Sequence, residues 1–166
     1  MLCFLFNSRR KPKRIFTVRG FLFDSSVWLA VVFPTHPFHD RAKQFLQKAT
    51  PGQPALFCRS TQQSFLRLVS TPALHNAYGA NGMTNRDALL ALDSLQALPQ
   101  VAVCDEHSGV VSLWCSLASQ DAASPKVWMD AYLASFAKMA GLRLVTFDRD
   151  FQYFVPFGLD LAWIQS

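Results

Sequence analysis

No apolar run in this 166-residue chain reaches the roughly 20 residues that a membrane-spanning helix requires, so a membrane protein is not expected. A secretory leader is not expected either. The short apolar start of Met1–Gly20 precedes the charges Arg9, Arg10, Lys11, Lys13 and Arg14, the reverse of a signal peptide's order. The four cysteines, Cys3, Cys58, Cys104 and Cys115, form no CxxC pair. A zinc site or disulfide framework is therefore poorly supported, and reduced thiols in a cytoplasmic protein are the simplest account. His36, His39, His75 and His107 make no recognisable ligand set and receive no catalytic role. Internal repeats and dividing linkers are also lacking. With 51% of residues apolar, the chain can fill one sizeable core.

The formal net charge is +5, and the run Arg9–Arg14 carries five positive charges by itself. Eleven Lys and Arg then face eleven Asp and Glu in the remainder. Residues 15–166 are thus formally neutral, and the basic character describes a tail, residues 1–19, ahead of a domain over residues 20–166. The tail is either a solvated, disordered extension or an electrostatic hold on RNA phosphates.

Strand-like and helix-like segments alternate, which indicates an α/β fold with a mainly parallel sheet. Gly20-Phe-Leu-Phe-Asp24, Ala55-Leu-Phe-Cys58, Val101-Ala-Val-Cys104 and Leu142-Arg-Leu-Val-Thr146 read as buried strands, and Leu159–Ile164 as a final edge strand. Helices are expected over Ser25–Phe33, His39–Lys48, Ser60–Val69, Asn85–Leu98, Val110–Ser119 and Lys126–Ala140. Ser60 with Gln63 fits a capping box, and Ser124-Pro125 opens the last helix. Thr71–Met83, with its Pro, Gly and Asn, reads as a loop.

Open parallel sheets bind ligands beyond the carboxyl ends of their strands. Asp24 follows the first strand, Asp148 follows the fourth, and Asp130 lies in the helix before it. Clustered carboxylates repel one another unless a cation neutralises them, and Mg²⁺ meets that need with one or two carboxylates and waters. Singly, each aspartate has an ordinary explanation: Asp148 as a turn residue, Asp130 as a helix N-terminal acid.

Together the segments resemble PIN-domain ribonucleases of the VapC group. Phe21-Leu-Phe-Asp24-Ser-Ser-Val-Trp-Leu-Ala30 resembles the opening motif, and Phe57-Cys-Arg-Ser-Thr-Gln-Gln-Ser-Phe-Leu-Arg-Leu68 the second helix. Trp128-Met-Asp130-Ala-Tyr-Leu-Ala134 and Leu144-Val-Thr-Phe-Asp148-Arg-Asp-Phe151 resemble the later acidic motifs. Four motifs in order over residues 20–151 are a specific signal where one would be weak. The resemblance implies a three-layer α/β/α sandwich around a sheet of four or five strands. It implies Mg²⁺- or Mn²⁺-dependent RNA hydrolysis by a homodimeric toxin, with tRNA or rRNA as substrate and a VapB-like antitoxin as partner. By position Asp24, Asp130 and Asp148 carry over as catalytic and metal-site acids, with Thr146, Asp150, Ser26 and Gln62 as supporting candidates.

Two departures qualify the match. Gln62 stands where many relatives have Glu, which keeps an acceptor and loses a charge. Ser26 stands where many have Asn, so Ser25 or Ser26 fills that role or caps the next helix. Arg59, Arg67 and Arg149 are candidates for RNA phosphates, with ordinary surface charge as the alternative. Trp28, Trp114 and Trp128 are expected in core or interface rather than against bases. A haloacid-dehalogenase-like phosphatase, which the opening strand also resembles, needs a second Asp at position 26 and finds Ser26. A PIN-like scaffold that binds RNA without cutting it, or an RNA-processing nuclease without an antitoxin, remains the alternative.

Overall fold

The computed structural model describes residues 14–15, 19–79 and 82–165. Most of the basic run, Arg9 to Lys13, lies outside them, as does Cys3. Six strands, β1 (Arg14–Ile15), β2 (Phe21–Phe23), β3 (Ala55–Phe57), β4 (Val101–Cys104), β5 (Arg143–Thr146) and β6 (Asp160–Trp163), form one sheet. Their order is β1-β4-β3-β2-β5-β6 and every pairing is parallel. Five strands make the body expected from the sequence. The additional β1 is a two-residue pairing with β4, from a segment read as part of the tail.

Seven α-helices connect the described strands: α1 (Ser25–Val32), α2 (His39–Lys48), α3 (Arg59–Val69), α4 (Pro72–Ala77), α5 (Asn85–Gln96), α6 (Val110–Ala118) and α7 (Val127–Ala140). Strands β2, β3 and β4 are apolar throughout because both faces of the sheet are covered there. Phe23, Phe57, Val103 and Val145 point to one face, into a core shared with α1, α2, α3 and α5. Leu22, Leu56, Ala102 and Leu144 point to the other, against α6, α7 and the segment after β5. This is the three-layer sandwich. Trp28, with no exposed surface, stacks on Phe57 at a centroid distance of 3.9 Å, which places that tryptophan in the core.

At the amino edge Gly20 permits a close approach. A Cβ there would stand 2.7 Å from the Pro54 carbonyl oxygen, while the Gly20 carbonyl accepts the Arg143 N–H at 3.0 Å. Beyond β2 the chain builds outward through β3 and β4, then returns to place β5 on the other side of β2. That reversal opens a crevice at the carboxyl ends of β2 and β5.

Local structure departs from the sequence reading at several points. Thr71–Met83 is not all loop: Pro72 occupies the first turn of α4, where its missing N–H costs nothing. His75 of that helix is buried and its ring bonds the Val69 carbonyl. The capping box of α3 is not Ser60 with Gln63. Cys58 is the N-cap, and the Thr61 hydroxyl accepts its backbone N–H at 3.0 Å. Helix α7 begins at Val127, because Ser124–Val127 forms a turn closed by Val127 N–H donating to the Ser124 carbonyl. After β5 the chain winds into a 3-10 segment, Arg149–Phe157, which the sequence reading did not anticipate.

Candidate active site

Asp24 leaves β2 and serves as the N-cap residue of α1 in an extended conformation, without a side-chain capping bond. Its backbone N–H donates to the Val145 carbonyl at 3.0 Å, which locks it to the end of β5. Neither carboxylate oxygen therefore caps a backbone N–H of the helix, and both accept side-chain hydroxyls. Oδ2 accepts the Ser26 hydroxyl at 2.7 Å and the Thr146 hydroxyl at 3.0 Å, and Oδ1 accepts the Ser25 hydroxyl at 3.2 Å. The two serines thus orient the acid rather than cap the helix.

Thr146, at the end of β5, is fully buried. Its oxygen also accepts the Asp148 backbone N–H at 3.0 Å. One hydroxyl consequently joins the β2 acid to the β5 acid. The Asp148 side chain caps the 3-10 segment, accepting the Asp150 N–H through Oδ1 at 2.9 Å. Its other oxygen, Oδ2, accepts from Lys126 Nζ at 2.6 Å, and the same ammonium donates to Asp150 Oδ2 at 2.6 Å. Lys126 Nζ also stands 4.0 Å from Asp130, one turn along α7.

Lys126 is the residue that sequence reasoning missed. Nothing in Ser124-Pro125-Lys126 marks its side chain as belonging to an acidic cluster. The turn before α7 makes it the N-cap, from which it reaches Asp148 and Asp150. Hydrogen bonds to those two carboxylates are the main reason its ammonium holds its proton more tightly than usual.

The acids respond oppositely to this setting. Burial pushes the Asp130 carboxyl up to about 6; Lys126 opposes the shift, and the charges of Asp148, Asp24 and Asp150 add to it. Partial burial also works against ionised Asp148. There, Lys126, the Asp150 N–H and Arg149 prevail and hold the carboxyl below its ordinary value. The site thus pairs an acid that loses its proton at a higher pH than usual with one that loses it at a lower pH than usual.

Among the described residues, no group of three or more His, Cys, Asp or Glu side chains is placed to hold a metal ion by itself. Lys126 occupies the space toward which Asp130, Asp148 and Asp150 turn. Mg²⁺ asks for less than such a cage: one or two carboxylates with waters suffice. Asp24 and Asp148, tied through Thr146, supply hard oxygen donors of that kind. The donor chemistry fits a hard divalent ion.

The other candidates are distributed differently. Asp150 joins the cluster through Lys126. Gln62 is buried in the first turn of α3 and accepts from Arg59 Nη1 at 2.9 Å, with no hydrogen bond to the acids among the described residues. Arg59 lines a second cavity of about 460 Å³ with Glu106, Trp114 and Tyr132 beyond β3 and β4. Arg67 is exposed in the last turn of α3, about 12 Å along the helix from Arg59. Arg149 lines a cavity with Lys126, Asp130 and Asp150. Trp114 donates its ring N–H to the Trp128 carbonyl at 2.8 Å, and Trp128 is exposed.

A model of the PIN domain matches residues 21–154. Ribonuclease VapC41 of Mycobacterium tuberculosis is 37% identical over 131 residues, 78% of this chain and 90% of that protein. Among solved structures, the sarcin-ricin-loop-cleaving toxin VapC20 of Mycobacterium tuberculosis is similar with a TM-score of 0.56 and 18% identity. The match covers 81% of this chain and 94% of VapC20. VapBC2 of Rickettsia felis, solved with a fragment of its promoter DNA, is similar with a TM-score of 0.55 and 11% identity, over 86% and 96% of the two chains. At these identities the two structures bear on the fold alone.

Proposed function

This chain belongs to the PIN-domain family, and on that premise we propose that it is a metal-dependent endoribonuclease of the VapC type, the toxin of a toxin–antitoxin pair. The observation that carries the reading is the convergence of Asp24, Asp130 and Asp148 at the β2/β5 crevice, linked by Thr146 and Lys126. Asp24 and Asp130 would hold the ion directly, and Asp148 would act directly or through water. Mg²⁺, or Mn²⁺ in its place, supplies Lewis acidity toward a phosphodiester when bound.

The chain's own groups supply the remainder. Ser25, Ser26 and Thr146 fix the Asp24 carboxylate before substrate arrives, which removes an ordering cost from the reaction. Asp148, held ionised by Lys126, accepts a hydrogen bond from a water and aims it in line with the scissile bond. The water oxygen bonds to phosphorus, the bond from phosphorus to the 3′ oxygen breaks, and that oxygen takes up a proton. The products are 5′-phosphate and 3′-hydroxyl ends.

The partners follow the same reading. They are an RNA substrate of the tRNA or rRNA class, a VapB-like antitoxin and a second copy of the chain, in the cytoplasm. Gln62 favours one alternative, an RNA-binding protein that cuts weakly or not at all, because by resemblance it stands where many relatives have Glu, and an amide lacks the charge that attracts a metal ion.

Incubation of the purified chain with RNA and Mg²⁺, beside Asp24→Asn, tests the reading. The wild type should cut and leave 5′-phosphates, while chelator or the variant should abolish cutting. Equal cleavage by the variant, or none by the wild type in Mg²⁺ or Mn²⁺, rejects a nuclease built on these acids. Expression with and without the adjacent open reading frame tests the toxin assignment: growth arrest that the neighbour fails to relieve rejects it.

A further inference from the structure

Beside the acids, between the start of α7 and the 3-10 segment, lies a cavity of about 510 Å³. Its acidic end is formed by Asp130 and Asp150, with Lys126 bound between them. The rest of its wall has a different character. Gln120, Gln152 and Tyr153 line it, and neither glutamine side chain forms a hydrogen bond among the described residues. Tyr153 is 51% exposed, yet its ring is braced from behind by Phe154, edge-on at 5.1 Å, and by Phe157 at 5.6 Å.

We propose that this cavity is a subsite for one unpaired nucleotide of the RNA, next to the scissile phosphate; the proposal rests on the nuclease reading above. The volume lies within the roughly 300–1,000 Å³ typical of sites that enclose a small ligand. The chemistry follows the parts of a nucleotide. Lys126 and Arg149 stand at the acid end, where a phosphate flanking the cut would lie. The braced, exposed Tyr153 ring offers a stacking face. Gln120 and Gln152 each bring an unengaged amide, donor and acceptor together, suited to the edge of a base.

Only an unpaired nucleotide can use such a wall. In an A-form duplex the Watson–Crick edge of each base is engaged, the major groove is too narrow for side chains and both faces are stacked, so amide and ring find no such purchase. A basic peptide is the less suitable occupant, because Lys126 and Arg149 line the same cavity and repel positive charge.

The test uses the full chain, titrated separately with AMP, GMP, CMP and UMP and followed by NMR at the Gln120 and Gln152 side-chain amides and the Tyr153 ring. At least one nucleotide should move these signals together. In parallel, Tyr153→Ala should raise KM for a single-stranded RNA about tenfold while kcat falls much less, the pattern of a lost stacking contact. Gln152→Ala, an exposed position, provides a second variant and should change the relative cleavage of substrates that differ in the base beside the cut. Signals that stay fixed with all four nucleotides overturn the subsite. So does an unchanged KM in Tyr153→Ala, or movement with an antitoxin chain alone. These failures are separable from failure of the nuclease reading: RNA cleavage without nucleotide-dependent shifts sinks the subsite, whereas shifts without cleavage sink the nuclease.

Discussion

The Thr146 hydroxyl donates to the Asp24 carboxylate at 3.0 Å, across the ends of the neighbouring strands β5 and β2. The same oxygen takes the Asp148 N–H, so one buried atom fixes two acids relative to each other. Thr146→Val keeps the shape and removes both bonds. It leaves a donor and an acceptor without their partner, at about 1–3 kcal/mol in stability. Cleavage should fall at least tenfold, because Asp24 loses one of its three orienting contacts, while Thr146→Ser should retain most of both. Chemical denaturation and initial cleavage rates measure the two effects, and Thr146→Val with wild-type activity would show that Asp24 needs no such tether.

Asp130 gives the metal-free protein a pH signature. Its folded carboxyl lies at about 6, raised above the ordinary value chiefly by burial. The folded state therefore binds this proton more tightly than the unfolded state does. That contribution to stability is complete below about pH 4 and is lost as pH rises through about 6. With most of the side chain buried, the loss is on the order of 2 kcal/mol. Asp148, held low, works in the other direction and in a lower window, its contribution vanishing as pH falls below about 4. Asp130→Asn should flatten the stability profile between pH 5 and 7 (roughly the window of this one group) and raise stability at the upper end. Urea midpoints at both pH values decide it, and an unchanged slope in the variant would assign the dependence to another group.

The acids of the site were legible because each closes a recognisable local pattern. Phe21-Leu-Phe-Asp24 and Leu144-Val-Thr-Phe-Asp148 are buried strands that run into a carboxylate, and both aspartates stand at the predicted sheet edge. Thr146 was legible for the same reason. Lys126 was not, since its partners are distant in sequence and only the turn ahead of α7 aims it at them. The α3 cap was hidden because cysteine is an uncommon N-cap and Thr61, rather than Gln63, completes it. The 3-10 segment was hidden by Pro156, which argues against helix in a sequence but sits near the end of this short one. Tyr153 and Gln152 went unseen with it.

Ser135 lies in the middle of α7 with no exposed surface, and its hydroxyl has no partner among the described residues. A buried hydroxyl without a hydrogen bond is a cost to folding. Alanine removes that cost and is the better helix former, so Ser135→Ala should stabilise the protein by about 0.5–1 kcal/mol. Thermal unfolding reports it. Destabilisation on the same scale would reveal a partner that this hydroxyl acquires in solution.

A divalent cation bound at Asp130 and Asp148, as proposed, would compete with Lys126 for their carboxylate oxygens. The ammonium already holds Asp148 and Asp150 at 2.6 Å each and stands 4.0 Å from Asp130. Any ion drawn to Asp130 and Asp148 must weaken those contacts or approach a positive charge. In Lys126→Met that opposition disappears, and Mn²⁺ affinity measured by calorimetry should rise several-fold, as expected for one charge near the site in a largely aqueous dielectric. The metal-free variant should unfold more easily at low ionic strength, where its carboxylates repel without compensation, and the difference should fade at high salt. Lys126→Arg keeps the charge and should keep the weaker affinity. If Lys126→Met instead binds Mn²⁺ no better than wild type, the ammonium does not contest the metal position, and the ion must lie on the Asp24 side of the crevice, away from Asp148 and Asp150.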